Sequence, residues 1–270
     1  MRQVRLGIVF LCMSILLSAG CSSGGSSGDG GSEPIVNQNP AGVWVGYLIA
    51  EESTTFLVGV ITEDREARLI GDVVQYEGND DITVSTTVFD GNFQKYTWKD
   101  ALYGADSDTL LELTGYVAER ALIWGVWTED GDASDDALPF ALYYNTTYTE
   151  RPNVENYRGD WRINDASISG NTAILTITPD VESTTGGNIT IVDDNDDMYT
   201  GRITILYDTY NVYRVRMNID GVDLEGLATY VQESDRGDLV EPRGILAIGA
   251  NGSGASGAKS FSGLAVKVSE

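Results

Sequence analysis

The 270-residue chain has no histidine, only two cysteines and few basic residues. Without histidine it cannot build a Ser-His-Asp triad, a Cys-His pair or an imidazole metal site. Its 17 Lys and Arg residues are outnumbered by 41 Asp and Glu residues, which gives a formal net charge of −24. A chain of this charge lacks the basic surface that binds nucleic acids and anionic lipids. We therefore expect no nucleic-acid partner and no cofactor.

Residues 1–20 have the pattern of a secretory signal peptide. Arg2 and Arg5 precede an apolar run over 6–17, and small residues lead to Cys21. The run is too short, with these flanks, to remain as a membrane-spanning helix. An ordinary export signal with an incidental cysteine is the alternative to the interpretation that follows.

The segment Leu17-Ser18-Ala19-Gly20-Cys21 resembles the lipobox of bacterial lipoproteins. The resemblance implies cleavage before Cys21 and attachment of diacylglycerol to its thiol. In such proteins, a serine after the lipidated cysteine, here Ser22, implies an outer-membrane destination. We therefore expect a lipid anchor in the outer membrane, on either the periplasmic face or the cell surface.

Residues 21–40 are predicted to be a lipidated cysteine followed by a flexible tether. The stretch 22–32 contains only Ser, Gly and one Asp, and no periodic pattern appears before Pro40. Cys12 lies in the predicted signal, so the mature chain would have no disulfide. The exported domains must then be stabilised by their cores alone.

From Gly42 onward, short runs rich in Val, Ile, Thr and Tyr alternate with Gly, Asp and Asn turns. This pattern predicts β-strands almost throughout, with eight in each half of the chain. The predicted strands are 43–50, 55–62, 67–76, 82–89, 93–98, 109–118, 121–128 and 138–145, then 160–165, 172–178, 188–192, 199–207, 212–219, 223–231, 244–250 and 261–268.

The two halves have the pattern of a diverged duplication. Gly42-Val43-Trp44 opens the first half and Gly159-Asp160-Trp161 opens the second. A repeat of this length indicates a duplicated domain rather than a solenoid. We predict one domain over 41–149 and another over 150–270, with the polar segment 145–157 as the linker.

The expected fold is all-β, with two tandem antiparallel eight-stranded up-and-down β-barrels. Barrel closure removes exposed strand edges, and the short connections favour hairpins. A pair of β-sandwiches is the alternative. A single sixteen-stranded outer-membrane pore is less compatible, because many strands are short and Arg214 and Arg216 interrupt one face.

The Gly-x-Trp tripeptides at Gly42 and Gly159 resemble the opening of lipocalins and the wider calycin group. The resemblance implies a Trp that closes one end of each barrel and a ligand site for small or apolar molecules inside. The lipid anchor, the Gly/Ser leader and the barrels are also similar, more coarsely, to transferrin-binding surface lipoproteins.

Large aromatic residues concentrate in the first half, so we place the candidate ligand or partner site there. The candidate residues are Trp98, Trp124, Trp127 and Tyr143. Trp124 and Trp127 are an odd number of positions apart on one predicted strand, so they should face opposite sides. An exposed Trp is a frequent energetic centre of protein contacts.

The acidic segment after the third strand of the second half could bind Ca²⁺ through Asp193, Asn195 and Asp197. Their spacing matches the first three ligands of a calcium loop, but Met198 stands where that loop requires Gly. A solvated hairpin tip is the other interpretation.

These observations predict a non-enzymatic binding lipoprotein. Its partner would be a small ligand inside the first barrel or an envelope protein on its aromatic surface. The alternatives are a structural or adhesive surface protein with filled barrels and a carbohydrate-active enzyme that uses paired carboxylates.

Overall fold

The computed structural model describes residues 37–49, 54–71, 74–78, 82–99, 104–106, 110–129, 137–164, 172–181, 184–193, 196–231, 244–254 and 257–268. Cys21, the predicted signal peptide and most of the predicted tether therefore lie outside the described residues. In these ranges no helix has the length and apolar character needed to cross a membrane.

The fold is all-β and consists of two closed eight-stranded antiparallel up-and-down β-barrels, as predicted. In barrel 1, β4 and β5 pair end to end along one side of β6, and β7 and β8 pair end to end along its other side, so ten strands fill eight positions. β10 closes the ring onto β1. Its strands are β1 (Gly42–Ile49), β2 (Thr54–Ile61), β3 (Ala67–Ile70), β4 (Val74–Gly78), β5 (Ile82–Ser85), β6 (Val88–Lys99), β7 (Gly104–Asp106), β8 (Leu110–Ala118), β9 (Leu122–Glu129) and β10 (Leu138–Asn145).

Barrel 2 is the more regular of the two, because each strand pairs with the next and the last pairs back with the first. Its strands are β11 (Gly159–Asn164), β12 (Thr172–Pro179), β13 (Gly186–Val192), β14 (Met198–Tyr207), β15 (Tyr210–Ile219), β16 (Val222–Val231), β17 (Ile245–Gly254) and β18 (Gly257–Lys267).

Two of the predicted strand divisions in barrel 1 are wrong. The predicted strand 67–76 is two antiparallel strands, β3 and β4, and Gly71, a residue common in turns, follows β3. The predicted strands 82–89 and 93–98 are a short β5 and a long β6. The turn between them lies at Thr86, whose φ of 58° is unusual for a β-branched residue, so no turn signal marked it.

Strict alternation of side chains separates the barrel interiors from the outer walls. On β1, Trp44 and Leu48 point into barrel 1, whereas Val43 and Val45 point outward. Large buried side chains fill this interior, including Trp44, Leu57, Ile61, Leu69, Phe89 and Phe93. The inward Gly46 allows close strand approach, since a Cβ there would lie 1.9 Å from the Ala141 carbonyl oxygen.

The outward faces of the two barrels pack against each other through a shared apolar cluster. Strands β1 to β3 of barrel 1 contribute one side, and strands β15 to β18 of barrel 2 contribute the other. The principal members are Val43, Val45, Val58, Val60, Ile70, Val212, Leu227, Val231, Ile245 and Ala247. Burial of such an area from water joins the barrels firmly.

A buried polar cluster lies beside this apolar contact. Arg68, which is 2% exposed, donates to Asn251 Oδ1 at 2.5 Å and to the Glu225 carbonyl at 3.1 Å, both on barrel 2. Gln75 donates to the Ala250 carbonyl at 2.9 Å and also bonds Ser260. Since buried polar groups need partners, this cluster fixes the orientation of the barrels.

The predicted linker 145–157 is packed structure rather than a loose connection. Two 3-10 helices, Thr146–Thr149 and Val154–Tyr157, begin after Asn145 and Asn153, whose side chains accept backbone N–H groups. Tyr148 is buried and stacks on Tyr210 with ring centroids 4.4 Å apart. The Asn caps and the buried aromatics explain why a polar sequence forms a rigid junction.

The last residues of the predicted tether, from Asn37 onward, pack against barrel 1. Gln38 N–H donates to the Thr86 carbonyl at 2.8 Å, and Asn37 Oδ1 accepts from the Thr86 N–H at 2.8 Å. The residues just before β1 are therefore bound to barrel 1 from Asn37 onward.

Candidate functional site: the outer wall of barrel 1

A continuous line of outward apolar side chains crosses six strands of barrel 1. Each member lies directly opposite the next in the strand register. We call this line the aromatic row, and its members are Val88, Tyr116, Trp124, Ala141, Tyr47 and Phe56. Cross-strand aromatic and aliphatic pairs of this kind stabilise a sheet, but their outer surfaces also remain available for contact.

The centre of the aromatic row is the pair Tyr116 and Trp124. Their ring centroids are 5.6 Å apart with planes tilted by 32°, and Tyr116 is 51% exposed. Beneath them, Gly115 faces Gly125, and a Cβ on either would lie 2.0–2.1 Å from a backbone oxygen of the other strand. The glycines bring β8 and β9 close together below the two rings.

Further exposed residues extend the apolar surface and give it a polar margin. Val126 and Pro139 lie opposite each other beside the aromatic row, and both are exposed. Asp90 and Glu112 are exposed on outward positions of β6 and β8, one and two outward positions away from the aromatic row. The arrangement is an apolar centre with carboxylates at one margin.

The structure places two of the four predicted site residues on the outer wall of barrel 1 and one toward its interior. Trp124 belongs to the aromatic row, and Tyr143 points outward on the same strand as Ala141, opposite Val45 of the inter-barrel contact. Trp127 instead packs against the interior of barrel 1, as the odd spacing from Trp124 required. Trp98 lies in β6, but its side chain is outside the described residues.

Sequence reasoning missed Tyr116, Tyr47 and Phe56 as members of this surface. The sequence did contain a signal for Tyr116, because β8 alternates strictly between exposed and buried positions and Tyr116 lies on the exposed set. Tyr47 and Phe56 are half-buried and meet edge to face at 5.5 Å. Their place in the row depends on register across β1 and β2, which no local pattern specifies.

The two repeated tryptophans have the same local geometry in both barrels. Trp44 Nε1 donates to the Pro40 carbonyl at 3.0 Å, and Trp161 Nε1 donates to the Tyr157 carbonyl at 2.8 Å. Both indoles are buried. Lys267 Nζ lies 5.8 Å from the Trp161 ring, within cation–π range. These tryptophans are parts of the barrel cores.

The first predicted calcium ligand is buried and accepts a backbone N–H through its side chain. Asp193 Oδ1 accepts the Asp197 N–H at 3.0 Å, and Asp193 is 4% exposed, so it is not a solvated tip. Asp197 is exposed, and Asn195 lies outside the described residues. Among the residues that the structure describes, no group of three His, Cys, Asp or Glu side chains could hold a metal ion.

The aromatic row can take part in apolar and stacking contacts at its centre and in electrostatic contacts at its margin. Comparison with known proteins adds no assignment: no protein-family model, no curated protein and no solved structure matches this chain.

Proposed function

We propose that this protein is an outer-membrane lipoprotein, anchored through Cys21, that binds an envelope protein through the aromatic row of barrel 1. Its role is binding rather than catalysis. The observation that carries the proposal is the exposed Tyr116 packed against the half-buried Trp124 at the centre of an apolar line across six strands.

The composition of the surface specifies the chemistry of the partner. An apolar centre with a charged rim is the usual anatomy of a specific protein interface, and exposed Trp and Tyr are common energetic centres. Asp90 and Glu112 are exposed at the margin of the row, in a chain with a net charge of −24. The partner therefore presents an apolar pocket with lysine or arginine at its rim.

The interior packing supports an outer-surface role over a carrier role. The inward positions of barrel 1 hold Trp44, Phe89 and Phe93, all buried. Small barrels of eight strands are often filled by side chains in this way. A structural or adhesive role with filled barrels is the second candidate, and the same packing favours it.

The anchor is tested separately from the binding site. Cys21→Ser removes the thiol that would carry the lipid, so the protein should move from the membrane fraction to the soluble periplasmic fraction. Metabolic labelling with a radioactive fatty acid should mark the wild type and not the variant. A variant that stays with membranes would contradict the anchor without bearing on the aromatic row.

The partner is tested by placing a photo-crosslinking amino acid at Tyr116 in living cells. A single envelope protein should be crosslinked, and this crosslinking should saturate as its concentration rises. The purified partner should bind the wild-type protein with an affinity that falls as salt is raised. Trp124→Ala should weaken this binding by about tenfold or more, as expected for an interface centre.

Met198→Ala is the matched control, because Met198 is an apolar residue on barrel 2 with 66% exposure. It should leave the affinity unchanged. Equal loss in both variants, or binding that does not change in Trp124→Ala, would place the partner elsewhere and contradict the proposal. No capture at Tyr116 would favour the structural role.

A further inference from the structure

The outer wall of barrel 2 contains a concave depression of about 800 Å³ that crosses β13 to β16. Its outward lining is polar throughout, in contrast to the aromatic row of barrel 1. The apolar residues of the lining, such as Ile189, Met217 and Leu224, occupy inward-facing positions and are buried. The depression is therefore a surface for hydrogen bonding rather than for apolar contact.

Two adjacent lines of polar side chains form this surface, and we call them together the polar plate. The members of each line lie directly opposite one another on β12 to β16. The first line is Thr178, Asn188, Arg202, Arg216 and Glu225. The second line is Thr176, Thr190, Thr200, Asn218 and Asp223.

The planar side chains of the polar plate are held in place by their neighbours. Arg202 donates to Asp180 Oδ2 at 2.7 Å and to Asn188 Oδ1 at 3.1 Å. Arg216 donates to Glu225 Oε2 at 3.1 Å. Each guanidinium has five N–H donors, so donors remain for a ligand while the group is already oriented. Such preorganisation lowers the entropic cost of binding.

The charges of the polar plate balance each other. Arg202 and Arg216 are directly opposed, an arrangement that like charges disfavour, but Asp223 and Glu225 line the same depression. A neutral surface within a chain of net charge −24 does not select anions, and its mixed signs do not select cations. Its chemistry suits an uncharged ligand with many hydroxyl groups.

We propose that the polar plate binds a short segment of an uncharged oligosaccharide, with sugar rings lying across the strands. Neighbouring strands are about 4.7–4.9 Å apart, so successive side chains along each line recur at a spacing comparable to the length of a sugar ring. Guanidinium, amide and carboxylate groups can each engage two adjacent hydroxyls. The open shape fits a chain passing through better than an enclosed small molecule.

The test is saturation-transfer-difference NMR on the detergent-solubilised full chain. The probes are uncharged hexasaccharides of glucose, mannose, galactose and N-acetylglucosamine. At least one should receive saturation and show a measurable Kd. Arg202→Met and Arg216→Met should each weaken that binding by about tenfold, because each removes oriented charged donors. Both side chains are half or more exposed, at 50% and 70%, so both variants should fold.

Arg158→Met is the matched control. Arg158 is also an exposed arginine with a carboxylate partner, Glu155, but it follows the second 3-10 helix, away from the polar plate. Its variant should bind like the wild type.

Three results would overturn the inference. One is absence of binding to every probe, and another is loss of binding in Trp124→Ala but not in the plate variants. The third is binding of inorganic phosphate alone, which would make the two arginines an anion site. The first and third results do not bear on the protein partner of barrel 1, because that test uses a different surface and readout. The second would move the sugar site to the aromatic row itself.

Discussion

Arg214 of barrel 2 forms a two-bond ion pair with Glu66 of barrel 1. Nη1 and Nη2 donate to the two carboxylate oxygens, each at 2.7 Å. The pair lies at the margin of the inter-barrel contact, where Arg214 also approaches Glu225 at 3.5 Å. Paired donors of this geometry fix orientation as well as adding stability. The barrels are thus joined by apolar packing, a buried polar cluster and a partly exposed ion pair.

Glu66→Gln should reduce the free energy of unfolding by about 1 kcal/mol, since the pair is partly open to solvent. The neutral amide keeps the shape of the side chain and loses the charge. Chemical denaturation at low salt and at high salt measures the effect. The difference between wild type and variant should shrink as salt is raised, whereas a constant difference would indicate a packing effect.

Arg68→Met should be much more costly than Glu66→Gln. Burial lowers the pKa of Arg68, while the nearby charge of Glu77, 2.9 Å away, opposes this effect. Removing the cation leaves Asn251 Oδ1 without its donor and leaves Glu77, at 12% side-chain exposure, with only the neutral donors Asn251 Nδ2 and the Tyr96 hydroxyl. Loss of one member of a buried pair costs about 3–5 kcal/mol.

Denaturation with urea measures this loss, and the exposed Arg158→Met is the control for removal of an arginine. The control should change stability by about 0.5 kcal/mol or less. An Arg68→Met protein as stable as the control would show that the buried cluster adds specificity of orientation without net stability.

The sequence specified the barrels well because closure, alternation and turn chemistry act locally. The residues of β15 illustrate this, since Tyr213, Val215 and Met217 alternate with arginines and an asparagine. The contact between the barrels was not predictable in the same way. Arg68 and Asn251 are 183 positions apart, and nothing in either local pattern indicates that they meet.

The aromatic row was predicted only in part, for a similar reason. Trp124 was a candidate because its odd spacing from Trp127 places one of the two tryptophans on the outer face, but the sequence does not show which one. Its line with Tyr47 and Phe56 depends on the register between β1, β2 and β10. A one-residue slip would reverse the faces, and local composition does not fix that register.

The half-buried Tyr96 and the buried Tyr213 should give the protein a distinctive alkaline titration. Burial raises the pKa of Tyr96 to about 12, with the charge of Glu77 as a further cause. Burial also raises the pKa of Tyr213 to about 12. An unfolded tyrosine ionises near pH 10. The folded state therefore holds these protons more tightly than the unfolded state does. The stabilisation that the two tyrosines give the folded protein is complete below about pH 10 and is lost as pH rises toward 12.

Ultraviolet absorbance of tyrosinate measures this titration. The exposed members of the 14 tyrosines should ionise first, and the remainder should ionise near pH 12 together with unfolding. Tyr213→Phe should remove one late proton and reduce the loss of stability between pH 10 and 12. A single smooth titration centred on pH 10 in the folded protein would contradict this prediction.

The matching tryptophans test whether the two barrels unfold together. Trp44→Phe and Trp161→Phe each remove the indole N–H that bonds the Pro40 or Tyr157 carbonyl. An unpaired buried carbonyl costs about 1–3 kcal/mol, so both variants should be destabilised by similar amounts. Trp124→Phe on the outer wall is the control and should lie within about 0.5 kcal/mol of the wild type.

Calorimetry distinguishes joint from separate unfolding of the barrels. Because apolar and polar contacts join them, the wild type should show one transition, and either core variant should lower that single Tm. For a unit of this size the shift is about 2–4 °C per kcal/mol. If each variant instead moved only one of two transitions, the barrels would unfold independently. The inter-barrel contact would then be too weak to couple them, even with Arg68 and Arg214 in place.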